Sequence, residues 1–334
     1  MTKTEVKEVL PADLREHRAV RAWRQIQSEW FELENIEVLK SKRKSAVYRL
    51  TGIGPNGATI IAKRCKTATA LVERAIYDEL LKHPSLPALR CHGLVWEQER
   101  EYCWLFLEDA AGPEYSPNNK EHRALAAQWL GMFHRVPFSP ELKAALPDRG
   151  PGHYLQSLRA SRAVLLARVG HPALSANEVA LMRNVAEQFD AAEKHWNELE
   201  AFDAAWPRAV VHGDFVIKNL RIRNGGSGPA LLIFDWEMAG WGAPATDLAQ
   251  SLGRCVSPDL DVYGSILREN FAQFNARDLR RLAEFGNLLR VVDKIFWATA
   301  AMEGEDYLFL VKPLILIQEF EPQLASSLRA VNWT

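Results

Sequence analysis

Cysteine is scarce and unpaired in this chain. Four occur in 334 residues, at 65, 91, 103 and 255, with no CxxC pair and no Cys/His ligand spacing. That excludes a disulfide-built secreted scaffold and a zinc module, and points to reduced thiols in a cytoplasmic protein. Long apolar runs are missing too. The longest aliphatic stretches, such as Leu314-Ile315-Leu316-Ile317, fall far short of the ~18 residues a membrane span needs. The N-terminus carries charges throughout and lacks the apolar stretch of a signal peptide. Nor does charge of one sign dominate: 41 Lys+Arg against 42 Asp+Glu leave a formal net charge of -1, so no whole-chain basic field exists for nucleic acid. The reading is a soluble cytoplasmic chain, monomer or homodimer, with neither membrane nor nucleic acid as partner.

Hydrophobic residues make up 48% and charged residues 25%, close to the globular average, which excludes wholesale disorder. A length of 334 residues favours two packed units over one, at ~100–200 residues per domain. Residues 11–31, with Leu14, Val20, Trp23, Ile26 and Trp30 at helical spacing, predict an amphipathic helix. Short β-branched or alternating runs at Ile36–Leu39, Ala46–Leu50 and Ala58–Lys63 then predict a strand meander, followed by a helix at about 67–82. Two more strands, near Cys91–Trp96 and Tyr102–Leu107, complete a small sheet. Past Gly112-Pro113 the chain reads as helical, with helices near 119–136, 153–168, 174–200, 243–253, 257–274, 277–300 and 312–330. Brief strands interrupt it over 208–236. The expected organisation is an N-terminal helical segment (1–34), a small β-rich lobe (35–110) and a large helical lobe (111–334).

Chemistry concentrates in one stretch. His212-Gly213-Asp214-Phe215-Val216-Ile217-Lys218-Asn219 follows an apolar strand directly, and a second apolar strand runs into Asp235-Trp236-Glu237. Asp214, four intervening residues and Asn219 form the spacing of a kinase catalytic loop, in which the aspartate accepts the attacking hydroxyl's proton and the amide oxygen coordinates Mg²⁺. Asp235 supplies the hard anionic oxygen that Mg²⁺ requires.

The run HGD-x4-N, the strand ending IFDWE and the following Asp247-Leu-Ala together resemble the aminoglycoside phosphotransferase and choline kinase-like superfamily, small-molecule kinases of protein-kinase fold. The resemblance covers about residue 35 to beyond 300 and is strongest over 209–250. It implies an α+β, protein-kinase-like bilobal fold: an antiparallel-sheet N-lobe with one helix, and a mainly helical C-lobe. Ile60-Ile61-Ala62-Lys63 resembles the kinase V-A-I-K form, so Lys63 would neutralise nucleotide phosphates. Glu73 is its matching carboxylate and Glu79 the second choice. Glu108, Asp109 and Ala110 fall where the family's inter-lobe hinge meets the purine. The phosphate-covering position falls on Ser41-Lys42-Arg43-Lys44-Ser45, which departs from the usual Gly-rich form in having no glycine and three cations. The resemblance gives His212 a supporting role and makes Asp247 a brace of the catalytic loop, against a plain helix-N-terminal carboxylate favoured by the helix dipole.

Gly52-Ile-Gly54-Pro-Asn-Gly57 is literally G-x-G-x-x-G, yet a strand follows it where a dinucleotide fingerprint needs a helix. It reads as a turn between the second and third strands. The expected activity is a Mg²⁺-dependent transfer of the γ-phosphoryl group of ATP or GTP to a hydroxyl of a small acceptor. No activation segment fits within Ala239–Asp247, which disfavours a protein acceptor. Acceptor-side candidates are Glu237, Trp241, Trp297 and the acidic cluster Glu303, Glu305 and Asp306; the tryptophans read more readily as core than as substrate walls, and Glu237 equally as a solvated residue. Aminoglycoside, choline-like, macrolide and sugar acceptors stay open, as does a role in antibiotic resistance or in metabolism. The competing class is a catalytically silent regulatory module that binds nucleotide or ligand, disfavoured by the intact Lys63, Asp214, Asn219 and Asp235 set.

Overall fold

A computed structural model describes residues 10–27, 32–42, 45–225, 228–250, 252–271, 273–302, 304 and 306–333. The chain divides into two compact units: Met1–Glu114 with Val136–Ala145 and Asn219–Met238, and Tyr115–Arg135 with Leu146–Lys218 and Ala239–Thr334.

The first unit is built on a five-stranded antiparallel sheet of order β1-β2-β3-β5-β4, comprising β1 (Asn35–Lys42), β2 (Ser45–Thr51), β3 (Ile60–Lys66), β4 (Cys91–Trp96) and β5 (Tyr102–Glu108). Its two faces are covered differently. Helix α1 (Arg18–Trp23) lays Val20 and Trp23 over Ile36, Tyr48, Leu50, Ile60, Ala62, Trp104 and Phe106. The opposite face carries Lys63, Cys65 and Cys103 under α2 (Thr67–Ala75), which runs on as a π-helical stretch through Leu80. Burial on both faces explains why β5 reads YCWLFLE, a continuous apolar run rather than an alternating one. Gly52–Gly57 forms the expected turn between β2 and β3, with a single 3₁₀ turn at Pro55–Gly57.

Over the described residues the helix predicted at 11–31 is shorter than its periodicity implied; positions 28–31, with Trp30, lie outside them. A 3₁₀ turn at Leu14–Glu16 ends at His17, whose extended backbone restarts the chain as α1, and α1 stops at Trp23. Asp13 and His17 side chains accept the first free amides of each turn, and such local caps compete with one continuous helix. Of the basic segment 41–45, only the two ends are described. Ser41 and Lys42 belong to β1 and Ser45 to β2, with Lys42 opposite Ser45; Arg43 and Lys44 lie outside the described residues.

The hairpin of β7 (Leu220–Gly225) and β8 (Gly228–Ile233) also belongs to this unit. Its Ile222 amide donates to Pro113 O at 3.0 Å and Arg223 pairs with Glu108 at 2.6 Å. At Gly112 (φ +130°) a Cβ would lie 2.3 Å from Ile222 O, so only glycine lets the chain pass the hairpin. A short helix, α4 (Pro140–Ala145), completes the unit.

The second unit is helical: α3 (Lys120–Phe133), α5 (Pro151–Arg168), α6 (Ala176–Lys194), α7 (Trp196–Ala204), α8 (Leu260–Arg268), α9 (Ala276–Ala300) and α10 (Leu308–Ala330), with one small ladder of β6 (Ala209–Val211) and β9 (Gly240–Gly242). Helix α9 packs against both α5 and α10, burying Leu288, Val291, Val292 and Ile295. The helix predicted over 174–200 is two, broken at His195, where the backbone leaves helical geometry (φ -104°, ψ 5°). That predicted over 243–253 is only a 3₁₀ turn, Pro244–Leu248. There Gly286 of α9 meets the Ala245 carbonyl, where a Cβ would approach to 1.9 Å, and the Asp247 carboxylate is spent on loop amides. That predicted over 257–274 shortens to α8, opened by Asp259 accepting the Asp261 and Val262 amides.

Candidate active site

In the first unit, β3 alternation turns Lys63 onto the α2 face, where it is 7% exposed. Nearly two turns into α2, Glu73 is fully buried and its Oε2 lies 2.8 Å from Lys63 Nζ. The Asp235 carboxylate, two residues after β8, also accepts from Nζ, and Glu237 Oε2 stands 3.4 Å away. Burial opposes the ammonium, but the Glu73, Asp235 and Glu237 carboxylates outweigh it and hold the Lys63 pKa well above its ordinary value. Glu73 is pushed up by burial, against the pull of Lys63. Its Oε1 has no hydrogen-bond partner. Asp235 adopts a left-handed backbone (φ +69°), a costly conformation for a residue other than glycine and one that recurs at functional sites.

Asn219 precedes β7 and is 2% exposed; its carbonyl accepts the Phe234 amide at 3.1 Å. With Leu220 opposite Ile233, the ladder therefore puts Asn219 and Asp235 at the same end of one hairpin. Among the described residues no three His, Cys, Asp or Glu side chains gather to hold a metal ion.

In the second unit, Asp214 follows β6. Its Oδ1 lies 3.2 Å from Arg290 Nη2 on α9, and its Oδ2 lies 3.2 Å from Lys218 Nζ. Burial pushes the Asp214 pKa up, yet Arg290 and Lys218 prevail and hold it below the usual aspartate value. The loop is set from beneath. Fully buried Asp247 accepts the His212 amide at 2.7 Å and the Gly213 amide at 3.2 Å, with His134 Nε2 at 3.4 Å. His212 Nδ1 accepts the Asp214 amide at 3.2 Å. Asp293, one turn after Arg290, is pushed up by burial despite Arg290 and Arg149, and bonds Trp297.

The remaining sequence candidates disperse. Glu79 accepts from the Ser139 amide and hydroxyl, away from Lys63. Glu108 is held by Arg223 and by the Arg90 amide, Asp109 by Arg49 at 2.9 Å, and the Asp109 carbonyl accepts the Ala111 amide. Ala110 follows β5 and is half-buried. Lys42 is exposed at the end of β1. Trp241 sits in β9, its carbonyl accepting from Arg149 and Arg208, so it is part of a ladder. Trp297 is 55% exposed on α9. Asp306 accepts the Leu308 amide at the start of α10; Glu303 and Glu305 lie outside the described residues.

Sequence reasoning missed Arg290, Lys218 and Asp293. Lys218 was visible four residues after Asp214, and Arg290 as a lone charge within the apolar run Leu288-Leu289-Arg290-Val291-Val292.

The model of the "Phosphotransferase enzyme family" matches residues 35–285. No curated protein matches the chain. Solved structures are similar at low identity. The GDP and kanamycin complex of APH(2")-IIia has a TM-score of 0.61 at 14% identity over 90% of this chain and 97% of that one. An ethanolamine kinase of Plasmodium vivax has a TM-score of 0.58 at 13% identity, over 89% and 83%. Spectinomycin phosphotransferase APH(9)-Ia with ADP and spectinomycin has a TM-score of 0.58 at 9% identity, over 91% and 94%. These likenesses show a kinase-like α+β fold, as the motifs implied. With the family match spanning most of its length, the chain belongs to the phosphotransferase enzyme family and is a phosphotransferase that acts on hydroxyl groups.

Proposed function

We propose that this small-molecule phosphotransferase moves the γ-phosphoryl group of ATP or GTP to a hydroxyl of a small amine-bearing acceptor, of the aminoglycoside or amino-alcohol type. The observation that carries the reading is Lys63, a buried ammonium shared by Glu73 and Asp235. A buried cation ringed by more than its own charge of carboxylates stays protonated and pre-aimed, ready for a polyanion. In the reaction Lys63 binds the nucleotide phosphates, and Glu73 fixes its direction. Asn219 and Asp235 offer two hard oxygen donors, a set that suits Mg²⁺ shared with substrate phosphates and not an all-protein cage. Bound there, Mg²⁺ would neutralise charge on the phosphates. Asp214 orients the acceptor hydroxyl and accepts its proton. Its lowered pKa makes it a weak base, which suits a loose phosphoryl transfer that needs positioning more than early deprotonation.

The amine is argued from Asp293 and the exposed face of Trp297, a carboxylate and an aromatic on one helix that together suit an ammonium group. The GDP complex with kanamycin and the ADP complex with spectinomycin support a nucleotide-dependent reaction on amine-bearing acceptors, and the ethanolamine kinase supports the amino-alcohol alternative. The test is Mg²⁺-dependent consumption of ATP and GTP over kanamycin, spectinomycin, ethanolamine, choline, a macrolide and neutral sugars. Turnover with an amine-bearing acceptor is expected. Turnover only with neutral sugars contradicts the acceptor class, and no turnover above water with any acceptor contradicts a transferase acting on these classes.

A further inference from the structure

Arg290 is 6% exposed in the middle of α9, among Leu288, Val291 and Val292, where an arginine is costly unless its charge is matched. Nη2 meets Asp214 Oδ1 at 3.2 Å and Nη1 donates to the Gly213 carbonyl at 3.0 Å. Nε has no hydrogen-bond partner, so both of these hydrogen bonds lie on the segment Gly213-Asp214, with the Asp293 carboxylate adding a further attraction. Gly213 has a left-handed φ of +74°. A guanidinium is planar and presents a fixed fork of donors, so gripping a carbonyl and the next residue's carboxylate sets the peptide and the side chain together. The other oxygen, Oδ2, has a different neighbour. Lys218 is 57% exposed in its side chain, and an exposed lysine pair holds weakly.

We propose that Arg290 is a positioning residue of the phosphoryl transfer: it pins Asp214 Oδ1 and the Gly213 carbonyl so that Oδ2 receives the acceptor's proton. This rests on Asp214 being the base. In the step, the acceptor oxygen forms its bond to the γ-phosphorus as the bond from γ-phosphorus to the bridging oxygen breaks. The hydroxyl proton passes to Oδ2, and the nucleoside diphosphate leaves with the bridging electrons. Arg290 transfers nothing. It keeps the carboxylate oriented and ionised.

The groups facing Asp214 are Arg290, Asp293 and Lys294 from α9, and Lys218 and His212 from its own loop. Arg290 lowers the Asp214 pKa, so its loss moves the acid limb of the rate profile to higher pH. Charge and geometry then separate. Arg290→Lys keeps the charge and loses the fork, so kcat falls about tenfold to a hundredfold while the limb stays near the parent's and nucleotide KM is unchanged. Arg290→Met loses both, so kcat falls further and the limb moves up.

The experiment measures [γ-³²P]ATP and GTP turnover with Mg²⁺, using kanamycin and ethanolamine as acceptors and water as the acceptor in parallel, for the parent, Arg290→Lys, Arg290→Met, Asp214→Asn and Arg290→Lys/Asp214→Asn. Thermal midpoints accompany the rates. If Arg290 acts through Asp214, Arg290→Lys adds little to Asp214→Asn, because residues acting as one unit are strongly non-additive. Multiplying effects, or a parent-like kcat in Arg290→Lys, overturn the proposal. The double-mutant comparison decides it even if Arg290→Met does not fold. Parent-level turnover in Asp214→Asn would instead overturn the base itself, a separate failure.

Discussion

The Lys63 and Asp214 neighbourhoods are charge-inverted images of one another. Lys63 is a cation among carboxylates, with Glu73, Asp235 and Glu237 within 3.4 Å; Asp214 is a carboxylate between two cations, Arg290 and Lys218. Each keeps its central group ionised, by opposite means. In the proposed reaction, the excess anion around Lys63 would hold that cation in place until a nucleotide arrives. In the same proposal, the excess cation around Asp214 would leave a carboxylate that orients a hydroxyl and removes its proton only late.

That contrast is open to breaking by substitution. Replacing Asp214 by Asn removes the proton acceptor, and kcat should fall by ~10²–10⁴ with nucleotide binding nearly intact, read from single-turnover rates beside a nucleotide titration. Parent-like rates would remove Asp214 from the chemistry. Asp247→Ala should act on the frame beneath it. The buried carboxylate accepts two loop amides, and its removal should cost about 2–4 kcal/mol in a denaturant titration; a loss under 1 kcal/mol would mean the loop is braced elsewhere. The pH sign follows. The Asp247 pKa is lowered in the fold, from an ordinary 3.8, so its contribution is present above that value and is lost as pH falls through the folded-state pKa. Acid unfolding of the parent should therefore show a component below pH 3.8 that Asp247→Ala lacks.

On the Lys63 side, Asp235→Asn should weaken Mg²⁺-nucleotide binding by ~10–100-fold, seen as a raised Mg²⁺ requirement; an unchanged requirement would move the metal elsewhere. The smallest effect belongs to Gly54→Ala. Its φ of -79° permits a side chain, but the Cβ would sit 2.8 Å from Ala58 O and from Ile60 Cδ1, so stability should fall by ~1–2 kcal/mol. Nucleotide affinity should not change, because the turn only feeds β3. A changed affinity would make this turn part of the nucleotide site.

What was legible in the sequence follows the range of the forces involved. The lysine of β3 and the glutamate of α2 were readable because strand alternation and helical spacing are local and fix which face each residue takes. The placement of Asp214 and Asn219 between β6 and β7 was readable because the two lie in one short segment. Arg290 was not, because 76 residues separate it from Asp214 and only the packing of α9 brings it there. The helix over 11–31 failed for the opposite reason: its periodicity was genuine, but Asp13 and His17 offered the backbone nearer partners. The 3₁₀ turn at Pro244–Leu248 reflects a demand invisible to pattern, the close approach of Gly286. Asp306, read as an acceptor carboxylate, accepts the Leu308 amide just ahead of α10, a local bond that the sequence pattern did not show.

The most direct test of the division of labour is calorimetric titration of Mg²⁺-ATP and Mg²⁺-GTP into the parent, Asp214→Asn and Lys63→Met. The account predicts that Asp214→Asn binds the preferred nucleotide within a few-fold of the parent, whereas Lys63→Met loses about tenfold or more. Equal affinity in Lys63→Met and the parent, with a collapse in Asp214→Asn, would contradict it.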